Sequence, residues 1–204
     1  MNVTVRAAAP AEAAAIHSLV LANLDAGHLL PRSIEDIRDH VAGFFVAERH
    51  GQVVGCAELA RLSATVAEVR SLVVDESLRG QRIGTRLVAH LASKATTAGY
   101  ATLCAFTHAP GHFVRLGFTI VPHIWMPEKI AHDCNGCALF RRCGQYAVRL
   151  TLRQGVKAAP ERTAVMAHGR GVAPRRFNIE RLTLTPVAAG AENSEKQDRE
   201  AVPA

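Results

Sequence analysis

The sequence predicts an α+β fold, a central mixed and mostly antiparallel sheet flanked by helices, on three observations. Strands run consecutively before the first long helix, as Phe44 to His50, Val53 to Leu59 and Ala67 to Val74. Regular alternation of strand and helix would instead indicate a doubly wound parallel sheet. A polar, glycine-bearing bend from Asp75 to Gly84 then joins a strand to a helix, and strand patterns resume at Thr102 to Thr107, Phe118 to Val121 and Tyr146 to Leu152.

The elements follow in order. Val3 to Arg6 alternates like a short strand, and Pro10 suits the start of a helix carrying Ile16, Leu19, Val20 and Leu24 on one stripe. Ser33 is placed to cap a second helix, with Asp36 three residues on in the manner of a capping box. Between them, Gly27 to Arg32 is a connection able to cover a pocket. Gly51 marks the turn of a hairpin. Ile83, Leu87, Leu91 and Ala95 recur every four residues with Val88 beside them, and Gly99 ends that helix as a C-cap would. His112 to Leu116 reads as a short helix.

A chain of 204 residues, 49% hydrophobic and 21% charged, has the size and composition of a soluble globular domain. Residues 1–153 are the predicted domain. From Gln154 the sequence turns to Ala, Pro, Gly and charge without a sustained period, so 154–204 is predicted to be a mobile tail, with Arg175 to Pro186 its one patterned piece. The net charge of +6 contains no block of like charge. That pattern suits a phosphate-bearing small molecule, and no nucleic-acid partner is expected. The alanine-rich start lacks an early basic region and is interrupted by Pro10, Glu12 and His17, which argues against export. No stretch approaches a membrane span. Five cysteines, an odd number, are expected to be reduced thiols in the cytoplasm.

The chemistry concentrates in EVRSLVVDESLRGQRIG, Glu68 to Gly84. A glycine-bearing loop between strand and helix leaves several backbone N–H groups unpaired at the positive end of the helix dipole, which makes a seat for phosphate. It has neither the lysine of an NTP loop nor the glycine spacing of a dinucleotide loop. A basic helix start with no ligand is the plainer alternative. The run Arg79 to Gly84 resembles the pyrophosphate loop of the GNAT superfamily of acetyl-CoA-dependent N-acetyltransferases, Gln/Arg-x-x-Gly-x-Gly/Ala, with Arg82 standing where the middle glycine is usual. His112-Phe113-Val114-Arg115-Leu116-Gly117-Phe118 looks like the superfamily's aromatic-x-x-x-Gly-Phe segment.

The resemblance implies a GNAT fold from Val3 to about Leu152, with acetyl-CoA as co-substrate. Arg79, Gly80, Gln81, Arg82, Ile83, Gly84 and Thr85 would then surround its diphosphate, and main-chain groups of Leu72, Val73 and Val74 would bind the pantetheine and polarise the thioester. Glu68 matches the general base of the superfamily's histone acetyltransferases. An ion pair with Arg70, two residues along the strand, is its structural alternative. Phe113 fills a position where many members carry a tyrosine near the departing sulfur. The thiolate would therefore leave unaided, or His112 would act as acid; a helix-start histidine is the other reading of His112.

Trp125 to Cys143 contains Pro-Glu-Lys-Ile followed by Asp-Cys-x-x-Cys-x-Leu-Phe-x-x-Cys, similar to short bacterial amino-acid N-acetyltransferases related to N-acetylglutamate synthase. Leu29 to Ser33 and Gly55 to Leu59 look like the same family. This resemblance implies an amino-acid acceptor, glutamate first, with Arg32, Arg70 and Lys129 as candidates to meet its carboxylates. It implies the first step of arginine biosynthesis, without the kinase domain of longer synthases. Acetylation of another amine or a protein N-terminus, and a non-catalytic acyl-CoA-binding module, are the alternatives. Cys134, Cys137 and Cys143 with His132 invite a zinc or redox reading. Packing of a substrate-site flap is the default, so no metal is assigned. Edge strands leave a homodimer open.

Overall fold

The computed structural model describes residues 3–24 and 29–152. The predicted tail at 154–204, with its Arg175 to Pro186 piece, and the Gly27-His28 part of the proposed pocket cover lie outside the described residues. Seven strands form one sheet in the order β1-β2-β3-β4-β5-β7-β6. They are β1 Thr4–Ala7, β2 Phe44–Arg49, β3 Gln52–Arg61, β4 Val66–Val74, β5 Thr102–Thr107, β6 Thr119–Val121 and β7 Tyr146–Thr151. Every neighbouring pair is antiparallel except β4 and β5, which run parallel. The predicted α+β class is therefore the observed one.

Helices cover both faces. Helix α3, Ile83–Thr97, buries Ile83, Leu87, Val88, Leu91 and Ala95 against Phe45, Ala57, Val69 and Leu103. Helices α1, Ala13–Leu21, and α2, Ile34–His40, pack Ile16, Val20 and Ile37 against Phe44, Val46, Cys56 and Val73 on the other face. Covering on both sides explains why β2 opens with four consecutive buried residues, Phe44 to Ala47. Apolar contact at about 25 cal/mol per Å² makes this burial the main stabilising contribution.

Local chemistry sets the joints. His50 and Gly51 both have positive φ, 51° and 77°, giving the tight turn between β2 and β3. Helix α3 ends with Gly99 at φ 90°, where Gly99 N–H donates to Thr96 O and Tyr100 N–H to Ala95 O, a Schellman cap. Pro10 opens a 3₁₀ turn, Pro10–Glu12, ahead of α1, which stops at Leu21; Leu24 packs beyond the helix. Ser33 caps α2 by accepting from Asp36 N–H at 3.1 Å. The return half of the expected capping box does not form, because the Asp36 carboxylate accepts from the Arg32 guanidinium instead.

Two irregularities position the site. The β4–β5 ladder covers only Val66 to Glu68 against Thr102 to Cys104, after which the strands part. On its other edge β4 carries a bulge: Cys56 pairs with Val73 and Glu58 with Arg70, leaving Ser71 and Leu72 opposite Ala57. Ser71 takes a left-handed φ of 48° there. The extra residue reverses the alternation of side chains. Val69 thus faces the α3 layer, whereas Val73, four residues on, faces α1.

Candidate active site

A cavity of about 840 Å³ opens where β4 and β5 part, lined along one side by Glu68 to Val74. Ala105 to Thr107 of β5, and His112 and Phe113 of α4, Pro110–Val114, form the opposite wall. Leu29 to Arg32 lies across one end. Beyond Glu68, β4 lies outside the β4–β5 ladder, so main-chain groups on that edge of Leu72, Val73 and Val74 face the cavity.

One end of the site is built from backbone. Gly80 has φ 80° and Arg82 φ 59°, so the turn expected of a glycine is made by an arginine in the left-handed region. The first bond of α3 runs from Arg86 N–H to Arg82 O at 3.0 Å. The amides of Arg82, Ile83, Gly84 and Thr85 therefore precede the helical ladder. Ile83 is buried in the core, so only its amide can serve a ligand. A Cβ at Gly80 would meet no atom within 4 Å, and one at Gly84 would lie 3.7 Å from His112 Nε2. That ring nitrogen is buried and has no hydrogen-bond partner among the described residues. Burial, then the charge of Arg115, holds the His112 imidazole below its ordinary value. Open space, free amides and an unpartnered ring nitrogen fit a diphosphate and the chain attached to it.

Arginines divide. Arg79 lines the cavity, with Nη2 donating to Asn23 Oδ1 at 2.5 Å and Nη1 3.5 Å from Glu76 Oε1. Gln81 and Arg82 are exposed on the turn. Arg86 lines a separate hollow against β1 with Val3, Val5 and His90. Phe113 is buried edge-on against Phe118, with ring centroids 5.2 Å apart, and brings no hydroxyl to the site.

The other end of the cavity is ionic. Glu68, 2% exposed, accepts from Arg70 Nε at 2.6 Å through Oε2 and lies 2.7 Å from Lys129 Nζ through Oε1. Asp133 Oδ2 is 2.7 Å from Lys129 Nζ and also bonds Arg70 Nη2. Two carboxylates and two cations thus form a closed square in which each charge touches both opposite charges. Burial pushes the Asp133 carboxyl up, but hydrogen bonds from Lys129 and His132 and the charges of Lys129 and Arg70 outweigh it and leave it below the usual carboxylate range. Lys129 also sits 5.3 Å over the Phe106 ring.

A second network adjoins the first. Arg32 bonds Glu58, itself 2% exposed, and Asp36, and reaches Ser71 Oγ at 3.3 Å. The hydrogen bond from Arg32 holds the Asp36 carboxyl low. Its guanidinium lies 5.3 Å over Phe44. The structure therefore brings Arg32, Arg70, Lys129 and Glu68 to one cavity and pairs every one of these cations with a carboxylate. The ion pair between Glu68 and Arg70 exists, and Lys129 is a second cation on the same carboxylate.

Sequence reasoning missed Asp133, Glu58 and Asp36 as partners. A signal for Asp133 was available, because Lys129 and Asp133 are spaced i,i+4 on a helical stretch formed by the α-turn Pro127–Lys129 and the π-turn Ile130–Cys134. Glu58 reaches the site only through β3–β4 pairing. Among the described residues, no three His, Cys, Asp or Glu side chains are arranged to hold a metal ion, and no helix is long and apolar enough to cross a membrane.

The geometry agrees with what the chain resembles in known proteins. The Acetyltransferase (GNAT) family profile matches residues 14–118. A protein of Chlorobaculum tepidum named an uncharacterized N-acetyltransferase is 35% identical over 148 residues, covering 72% of this chain and 96% of that protein. An amino-acid acetyltransferase of Neisseria meningitidis is 30% identical over 133 residues, 64% of this chain but only 30% of that protein. The solved N-acetylglutamate synthase of Neisseria gonorrhoeae, complexed with coenzyme A and N-acetyl-glutamate, superposes with a TM-score of 0.64 at 26% identity, covering 76% of this chain and 36% of that one. With a parted sheet, an amide-lined turn ahead of the central helix and these relatives, the chain belongs to the GNAT family of acetyltransferases, whose acetyl donor is acetyl-CoA.

Proposed function

We propose that this enzyme transfers acetyl from acetyl-CoA to the α-amino group of an amino acid, with L-glutamate the leading acceptor and N-acetylglutamate, the first intermediate of arginine biosynthesis, as product. The observation that carries the reading is the grouping of Arg32, Arg70 and Lys129 in the cavity that Glu68 to Val74 line. An acidic amino acid brings two carboxylates, and guanidinium and ammonium groups are the side chains that bind them. The Neisseria relatives support the same acceptor class.

Acetyl-CoA supplies the activated acyl group. The turn from Arg79 to Thr85 holds its diphosphate through amides, with Arg79 and Arg82 adding charge. The edge amides of Leu72, Val73 and Val74 orient and polarise the carbonyl, as preorganised donors do in acyl transfer. Glu68 accepts a proton from the acceptor ammonium, directly or through water, once the acceptor's carboxylate has drawn Arg70 or Lys129 away. His112 faces the α3 turn and donates a hydrogen bond to the CoA chain, and the thiolate leaves without a protein acid, taking its proton from solvent.

The pairing of each cation favours a second reading. Four carboxylates, Asp36, Glu58, Glu68 and Asp133, surround three cations, an arrangement that also suits a neutral or basic amine. Thiol release measured with dithio-nitrobenzoate over a panel of amino acids and polyamines decides between them. Turnover confined to basic amines would remove glutamate, and CoA binding without turnover on any amine would leave only a binding module.

A further inference from the structure

The residues after the ionic square carry a feature that the acetyl transfer does not use. Cys137 N–H donates to Cys134 O at 3.0 Å, closing the turn Cys134-Asn135-Gly136-Cys137 directly behind the π-turn Ile130–Cys134. A hydrogen-bonded four-residue turn holds its end Cα atoms within about 7 Å. A disulfide spans about 4.4 to 6.8 Å between Cα atoms. Both thiols are free and half-buried, whereas Cys56 and Cys104 are fully buried in strands with thiols that burial pushes far up. Cys143, the fifth, is exposed.

We propose that Cys134 and Cys137 form a reversible disulfide and that this bond controls acceptor binding through Asp133. Asp133 is the residue before Cys134 and the corner of the square shared by Arg70 and Lys129. Drawing Cys134 toward Cys137 tightens the chain at the point where Asp133 is anchored. The oxidant is a low-molecular-weight disulfide, RSSR. The Cys137 thiolate attacks one sulfur, forming a mixed disulfide and releasing RS⁻, which takes up a proton. Cys134 then loses its proton and attacks the Cys137 sulfur, expelling the second RS⁻. Two cysteine thiols are oxidised and RSSR is reduced to two RSH. Burial raises the Cys134 thiol, and the opposing charge of Lys129 is outweighed with the help of Asp133, Cys143 and Cys137, which suits Cys134 to the resolving step.

The bond itself does not depend on which amine is the acceptor; its effect on acceptor binding rests on the function proposed above. The test equilibrates the full-length enzyme in glutathione and glutathione disulfide, traps free thiols with iodoacetamide and maps the peptides. Expected is a loss of two hydrogens within the peptide holding Cys134 and Cys137, retained in Cys143→Ser. Cys134→Ser should stop at glutathione attached to Cys137, and Cys137→Ser serves as the second variant if that protein folds poorly. Oxidation should raise the acceptor KM about 5- to 150-fold, a usual range of coupling between sites, leave the acetyl-CoA KM unchanged and reverse with dithiothreitol. Recovery of both cysteines alkylated while Cys143 is oxidised, a bridge to Cys143 instead, or stoichiometric zinc shielding the thiols overturns the disulfide. An oxidised enzyme with an unaltered acceptor KM overturns the control, whatever amine proves to be the substrate.

Discussion

Glu68 and Lys129, 61 positions apart in the chain, meet with Nζ 2.7 Å from Oε1 inside a site where the carboxylate is almost wholly out of water. Removing Lys129 leaves Glu68 and Asp133 sharing Arg70 alone, so each keeps one cation. Lys129→Met is therefore expected to cost less than the about 3 to 5 kcal/mol of a fully uncompensated buried charge and to raise the KM for an acidic acceptor with little change in that for acetyl-CoA. Urea unfolding and two-substrate kinetics read the two effects separately. A variant with normal KM for glutamate would take Lys129 out of acceptor binding.

Glu68→Gln keeps the shape of the side chain and removes its charge. Loss of a general base typically costs about 10² to 10⁴ in rate, and here the loss should be greatest at low pH, where the free amine is scarce. CoA affinity, measured by calorimetry, should stay the same. A pH–rate profile parallel to that of the unmodified enzyme would remove Glu68 from the base role.

Asp133 competes with any incoming carboxylate for Arg70 and Lys129. Asp133→Asn should consequently lower the KM for glutamate, about tenfold for each 1.4 kcal/mol of competition relieved, and should raise it for a basic amine. The opposite pattern across the two amine classes would favour the second reading of the acceptor.

Arg82 holds a left-handed conformation that costs a non-glycine residue about 1 to 2 kcal/mol, partly offset by the greater entropy that glycine loses on folding. Arg82→Gly is expected to stabilise the fold by up to about 1 kcal/mol while weakening CoA binding through the lost cation. Thermal unfolding and CoA titration test the pair of effects. A variant less stable than its parent would show that the turn is not strained.

Acid should unfold the protein in two stages. Burial, joined by Lys94 at His90 and by Arg115 at His112, holds both imidazoles below their ordinary value. The unfolded chain then binds those protons first as pH falls, so stability is full above about 6.5 and declines below it. Asp36 and Asp133 have lowered carboxyls, the former chiefly through Arg32 and the latter through contacts that outweigh burial. Their contribution is present above about 3.9 and is lost as pH falls further through their folded values. Urea midpoints between about pH 8 and pH 3 measure both stages, and His112→Asn should shrink the first. A flat midpoint from about pH 7 to pH 5 would contradict the buried-histidine account.

Periodicity made one layer legible, since Ile83, Leu87, Leu91 and Ala95 identify one face of α3, whereas Phe44 to His50 read only as a hairpin strand and its burial on both sides came from the packing. The left-handed turn ahead of α3 was legible because its requirements are local, lying within Arg79 to Gly84. The ionic square was only half legible. Glu68 and Arg70 share a strand, but Lys129 and Asp133 reach them through the path of a loop, which depends on tertiary packing rather than on any neighbouring residue. The capping box failed for a related reason, since Arg32 offered Asp36 a charged partner that outbid a backbone amide.

The additional residue in β4 at Ser71 and Leu72 has a bearing on how this chain can vary. It sends Val69 and Val73 to opposite sides of the sheet, so deleting or inserting one amino acid there would transpose every later side chain of the strand between the two layers. The half-exposed positions Leu72 and Val74 should accept changes of identity, and the segment almost none of length. Random libraries screened for folded protein would then recover point replacements at those positions while frame-preserving indels within 66–74 vanish.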